Sequence, residues 1–187
     1  RFTFSDIRGG DFQFKLRIPG WAEKGHIICG DTKLELTREQ ADSYQSVSVS
    51  GDHVSVELYL DMPSRYTVSH ALVEENTCQA AVERGPLVYC IENPDSELDT
   101  LDDLMLDPTE TFHPVPMQIE GRDMMALEGS ALAVCHEEDY DPDALYQTLS
   151  VRRLTPTKIR MIPYFAWDNR GYGEMKIWMP VALRQLP

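Results

Sequence analysis

Apolar and polar positions alternate with a period of two through the first third of the chain. Phe12, Phe14, Leu16 and Ile18 interleave with Gln13, Lys15 and Arg17, the pattern of a strand with one face in a core and the other in water. Pro19-Gly20 ends it. Ile27-Ile28-Cys29 meets Gly30-Asp31, and Leu34 and Leu36 return on the far side, which predicts a hairpin. Val47 and Val49 run into Gly51-Asp52, and Val54, Val56, Leu58 and Leu60 come back, which predicts a second one. Tyr66 to Ser69 and Ala80 to Ile91 supply further strands, the latter turned at Gly85-Pro86.

The character then changes. From Glu92 to Glu110 acidic residues accumulate without a single Lys or Arg, interleaved with Leu98, Leu101, Leu104 and Leu106. The three-residue steps are too few for a true helix, so a long acidic connection with at most one helical turn is expected. Strand pattern resumes at Met117, broken by Gly121 and Gly129, and a second acidic loop at Glu137 to Asp143 precedes final strands at Lys158 to Ile162 and Met175 to Met179. Many short strands, turn residues every 8 to 12 positions and almost no amphipathic helix predict an all-β fold. The expectation is antiparallel β-sandwich modules of jelly-roll-like kind with little helix. Residues 1–75 would form the first module and 76–187 the second, the boundary falling within Ala71 to Ala80.

Composition narrows the function classes. The formal net charge of −14 opposes nucleic acid, which is bound through clustered Lys and Arg, and opposes anionic membrane surfaces for the same reason. No run of about 18 apolar residues is available to span a bilayer. Arg1 opens directly into Phe2-Thr-Phe4, which predicts a start inside a fold rather than a secretory leader. Neutral sugars stay compatible, because aromatic faces and hydrogen bonds hold them. Cys29, Cys78, Cys90 and Cys135 are too far apart for a C-x-x-C pattern, and buried free thiols are expected rather than bridges.

Few positions carry candidate chemistry. Trp21, beside the turn Pro19-Gly20, is expected to plug its own fold, and Trp178 to pack within a strand. Trp167 differs, because it lies in a loop-like run with Asp168, Asn169, Arg170 and nearby glycines. A strand ending at Pro163 and glycines at 171 and 173 would project Tyr164, Trp167, Asn169 and Arg170 toward a sugar or a neighbouring surface. The alternative pairs Arg170 with Asp168 to pin the loop. Cys135-His-Glu-Glu-Asp139 resembles a ligand cluster, but neighbours on an extended segment face opposite ways, so a solvated loop is expected. The Glu92 to Glu110 stretch lacks the order of a calcium hand and reads as charge kept in water. His26, His53, His70 and His113 lack a histidine partner at metal-binding spacing. With 31 acidic residues, no carboxylate pair of the kind glycoside hydrolysis uses can be singled out.

Three separated motifs carry a resemblance. Phe14-Lys-Leu-Arg-Ile-Pro-Gly-Trp-Ala22, Glu83-Arg-Gly-Pro-Leu-Val-Tyr-Cys-Ile-Glu92, and Ile162-Pro-Tyr-Phe-Ala-Trp-Asp-Asn-Arg-Gly171 with Glu174 to Pro180 stand in the order found in glycoside hydrolase family 127. The chain resembles the C-terminal region of these beta-L-arabinofuranosidase-like proteins. The resemblance implies a pair of β-sandwich modules downstream of a helical barrel, the module partner within the same polypeptide. In that barrel a zinc-held cysteine would act as nucleophile and a glutamate as acid/base. The adjacent cysteine pair that marks such a site is absent here, so no catalytic residue, metal ligand or cofactor carries over to this chain. Two positions depart from the family's pattern: Val47-Ser-Val-Ser50 stands where a tryptophan is common, and Cys29-Gly30 where Asn-Gly is expected. The implied role is a non-catalytic accessory region, with a carbohydrate-binding module for arabinose-containing glycans or a purely structural domain as alternatives.

Overall fold

A computed structural model describes residues 1–8, 10–135, 143–146, 148 and 153–182. These residues divide into two compact units, Arg1–Pro63 and Ser64–Pro187. Pairing between named strands is antiparallel throughout. Helix is limited, among the described residues, to three-residue 3-10 turns.

The first unit holds β1 (Phe2–Ser5), β2 (Phe12–Ile18), β3 (Lys24–Cys29), β4 (Thr32–Thr37), β5 (Ser43–Val49) and β6 (His53–Leu60). They form a four-stranded sheet, ordered β1-β6-β3-β4, and a two-stranded sheet, β2-β5. Leu16 and Ile18 from β2 and Val49 from β5 share one core with Ile27, Leu36 and Val56 of the larger sheet. The alternation predicted for β2 is therefore realised as a sandwich layer. The first hairpin forms as expected: Cys29 pairs with Thr32, leaving Gly30 at φ 56 as the first of two loop residues, where the twist of the flanking strands favours glycine. The second hairpin does not form. β5 pairs with β2, whereas β6 pairs with β1 and β3, so Gly51-Asp52 carries the chain from one sheet to the other. Alternation records that a strand has one apolar face; it is blind to which strand lies beside it.

The second unit contains β7 (Ser64–Thr67), β8 (Gln79–Arg84), β9 (Leu87–Glu92), β10 (Leu104–Met105), β11 (His113–Ile119), β12 (Arg122–Cys135), β13 (Arg153–Pro163), β14 (Met175–Lys176) and β15 (Met179–Pro180). Its sheet runs β10-β12-β13-β9-β8-β15, with β11 beside β12, β14 beside β9 and β7 beside β8. The division falls at Pro63/Ser64, earlier than the expected Ala71 to Ala80. The reason is β7, which pairs with β8 from Ser64↔Arg84 to Thr67↔Ala81 and whose Ser64 hydroxyl donates to the Phe112 carbonyl at 2.7 Å. The lapse in strand pattern after Ser69 is thus a loop inside the second unit.

Two apolar clusters flank this sheet. Tyr89, Leu127, Ile159 and Met161 lie in the larger one with Leu101, Leu104, Leu106 and Phe112. Cys90, Ile119, Ile162 and Ala166 form the smaller. Neighbours such as Met161 and Ile162 enter different clusters because successive strand residues face opposite sides. The leucines of the acidic stretch are therefore core residues. Gly129 does not break a strand either: it lies within β12 opposite Ile159, and a Cβ there would stand 2.6 Å from Cδ1 of the buried Phe112 ring. The expected strand at Met175 to Met179 is two short ones, bent at Ile177-Trp178. All four cysteines are free thiols, but Cys90 alone is buried and Cys78 is exposed. The acidic segment Glu137 to Asp143, the Cys135 to Asp139 cluster beyond Cys135, and the final residues lie outside the described set, Asp143 excepted.

Two outcomes test this packing. Gly129→Ala should destabilise the chain by about 1–3 kcal/mol through overpacking against Phe112, and a denaturant double-mutant cycle with Phe112→Leu should show coupling, because the smaller side chain relieves the clash. Tyr66 donates to the carbonyls of Asp107 and Glu110 at 2.9 and 3.0 Å. Burial, reinforced by the charges of Asp107 and Glu110, pushes its hydroxyl from 10.0 up to about 12. A folded-state value above the unfolded one means that this stability is intact below pH 10 and is lost as pH rises toward 12. Denaturation followed against pH should therefore show an alkaline loss that is smaller in Tyr66→Phe, which is itself weaker at neutral pH by about 1 kcal/mol for the lost hydrogen bonding.

Candidate functional site

The segment between β13 and β14 departs from and returns to a single strand. Ile162 and Pro163 pair with Cys90 and Tyr89 of β9, and Met175 and Lys176 pair with Glu92 and Ile91 of that strand. Pro163, which cannot donate to a ladder, closes β13 and precedes a 3-10 turn at Tyr164–Ala166. The Trp167 N–H donates to the Tyr164 carbonyl at 3.1 Å. Asn169 then closes the turn from outside, its side-chain amide donating to the carbonyls of Ala166 and Trp167 at 3.1 and 3.0 Å.

Arg170 fastens the next residues. Its Nε donates to Glu92 Oε2 at 3.0 Å, its Nη1 to Asp95 Oδ1 at 2.8 Å, and its Nη2 reaches both carboxylates. The fork is engaged on two sides by two acids, the geometry that planar guanidinium permits and an ammonium does not. Glu92 keeps its other oxygen for the backbone N–H of Asp168 at 3.0 Å, a residue held at φ 64. The side chains of Arg170, Glu92 and Asp95 retain 16%, 6% and 1% exposure. Hydrogen bonding to Asp95 is the main cause that raises Arg170 above the ordinary guanidinium range, with Glu92 adding to it against the cost of burial. Beneath them the Cys90 thiol is pushed up to about 12, by burial first and then by the charges of Glu92 and Asp95.

The far side of the segment is tied as firmly. Asn93 Oδ1 accepts from the Glu174 N–H, and the Glu174 carboxylate accepts from Thr100 Oγ1 and, at 2.7 Å, from the Leu101 N–H. Lys176 Nζ meets Asp102 at 2.5 Å. The acidic stretch is thus the seat of the loop, and Glu92 and Asp95 are buried in it, contrary to the expectation of charge kept in water.

Of the four residues singled out from sequence, Tyr164, Trp167 and Asn169 are exposed and Arg170 alone is drawn inward. Tyr164 and Trp167 are 43% and 42% exposed and stack on one another with centroids 5.9 Å apart and planes 10° from parallel. Asn169 and Arg170 hold the loop, and the carboxylate partners of Arg170 are Glu92 and Asp95 rather than Asp168. Sequence reasoning missed Phe165 and Tyr172, which are 68% and 106% exposed; two large rings in a polar, glycine-flanked run were the available signal. Trp21 is half-buried against the first unit's core, as expected of a plug.

Residues 64–180 match the glycoside hydrolase family 127 C-terminal domain. The chain is 31% identical over 171 residues to the non-reducing end beta-L-arabinofuranosidase of Bifidobacterium longum subsp. longum, covering 89% of this chain and 25% of that protein. Among solved structures it is similar to a glycoside hydrolase, with 34% identity and a TM-score of 0.83 over 97% of this chain and 30% of the other. It is also similar to a GH127 beta-L-arabinofuranosidase from Geobacillus stearothermophilus T6, with 30% identity and a TM-score of 0.77 over 92% of this chain and 27% of the other. The chain spans between a quarter and a third of these relatives. An all-β chain whose closing strands, aromatic loop and acidic seat fall within that match belongs to glycoside hydrolase family 127, as a C-terminal region of it.

Proposed function

We propose that this chain is a non-catalytic accessory region of a beta-L-arabinofuranosidase-like hydrolase, bracing a catalytic barrel in the same polypeptide through the loop at residues 164–172. One observation carries the reading: four aromatic rings face solvent from a loop whose backbone is fixed at both ends and underneath. Aromatic side chains on a rigid frame give large contact area with little ordering cost, the property of an interface anchor. The match of relatives three to four times longer supports a barrel partner. A second reading has the same Tyr164–Trp167 pair offer its solvent-facing surface to an arabinose-containing glycan, which the exposure of both rings supports.

Zinc-thiolate chemistry belongs, on this reading, to the barrel. A cysteine nucleophile needs a lowered thiol pKa, and Cys90 is displaced the other way. Among the described residues no group of three or more His, Cys, Asp and Glu side chains is placed to hold a metal ion. We therefore assign neither a metal ligand nor a nucleophile among the described residues.

The purified chain should not hydrolyse aryl L-arabinofuranosides or retain stoichiometric zinc; turnover that survives repurification and depends on one of its own carboxylates would relocate the active site here. In a polypeptide joining this chain to its barrel, Trp167→Ala should lower activity or loosen docking, while the isolated variant melts within about 0.5 kcal/mol of the parent. Arg170→Met should behave differently, destabilising the isolated chain by about 3–5 kcal/mol because two buried carboxylates lose their cation. An isolated Trp167→Ala chain that unfolds, with no separate effect on activity, would reduce the ring to packing and remove the proposed contact.

A further inference from the structure

The first unit presents a recess on the outer face of its four-stranded sheet. Register places Glu35 of β4, His26 of β3 and Tyr59 of β6 in one row across three strands. The adjoining row holds Thr37 opposite Lys24, with Asp61 fixed beside it by donation of its N–H to the Lys24 carbonyl at 2.9 Å. These side chains face away from the core because Ile27, Leu36 and Leu60, their neighbours along the strands, pack into it. Gly25 sets the close fit of β3 on β6, since a Cβ there would lie 2.3 Å from the Tyr59 carbonyl oxygen. Together the six side chains line a recess of about 410 Å³.

Its chemistry is selective. The His26 and Tyr59 rings stack with centroids 5.1 Å apart and planes 21° from parallel, and Tyr59 remains 56% exposed. The ring offers an apolar face, Glu35 and Asp61 offer acceptors, Lys24 offers donors, and Thr37 and the imidazole serve either way. Lys33, bonded to Glu35 at 2.6 Å, holds that carboxyl below its ordinary range, so it acts as an acceptor at neutral pH. Glu35 and Asp61 are balanced by Lys24 and Lys33, so the recess carries no net charge that would favour an anion or a cation, and the charged rim disfavours a purely apolar ligand. A metal ion is equally unsuited, as no set of three ligating side chains converges here among the described residues. A neutral polyhydroxylated ring, with one C–H face for the aromatic and hydroxyls that both donate and accept, suits this open, shallow floor.

We propose that this recess is a carbohydrate-binding site, seating one end of a neutral oligosaccharide on Tyr59 with its hydroxyls on Glu35, Asp61, Lys24 and Thr37. It stands on residues of the first unit alone and does not depend on the role of the aromatic loop. The test is a titration of the ¹⁵N-labelled chain with methyl β-L-arabinofuranoside, arabino-oligosaccharides and xylo-oligosaccharides, read by backbone amide shifts. The expected result is a saturable shift with at least one of these sugars, concentrated on β3, β4 and β6. Tyr59→Val, which keeps a strand-favouring side chain, should weaken that binding roughly tenfold or more. Glu35→Gln, which keeps shape, should weaken it severalfold. No saturable shift up to about 10 mM with any of the sugars overturns the proposal. So does binding that survives Tyr59→Val in a chain with an unaltered melt, or shifts confined to residues 164–172.

Discussion

The interaction on which the second unit's outward face depends is the guanidinium of Arg170 between Glu92 and Asp95. Buried acids in a chain of net charge −14 would repel one another and resist desolvation unless a cation lay between them. Arg170 supplies it from 75 and 78 positions away in sequence, and in doing so fixes the Asp168 backbone through the second oxygen of Glu92. Ion pairs of this kind add little net stability over an apolar replacement. Their worth lies in geometry: a forked donor engaged by two carboxylates admits one position of the loop.

How much of this was legible follows from the range of each interaction. Strand existence and the Gly30-Asp31 hairpin are written within a few neighbouring residues and are legible there. Partner choice is not written locally. The alternation of Val47 to Leu60 fits a hairpin as well as it fits two strands in facing sheets, and Phe112 gives no local sign that it requires a glycine at position 129. The acidic stretch was misread for the same reason. Nothing between Glu92 and Glu110 reveals that the cation lies beyond β13, so water was the only visible solvent for those charges. The family motifs, by contrast, compress long-range information into short strings, because Glu92 closes one and Arg170 stands in another.

The two units expose their aromatics in different ways. In the second, rings sit on a loop supported from below by hydrogen bonds and ions. In the first, Tyr59 and His26 stand on the sheet itself, held by strand register and by the missing side chain of Gly25. A loop presents edges and faces to a large surface, whereas rows on a sheet make a shallow, chemically mixed floor suited to a small ring.

The shared anchorage of residues 163 and 175 on β9 makes the intervening segment an exchangeable cassette. Backbone pairing is indifferent to side-chain identity, and the side-chain bonds that hold the loop come from Asn169, Arg170 and Glu174. Tyr164, Phe165, Trp167 and Tyr172 are the exposed large rings of that segment. Substitution at those four positions would change the surface that the segment presents while its anchorage on β9 stays the same.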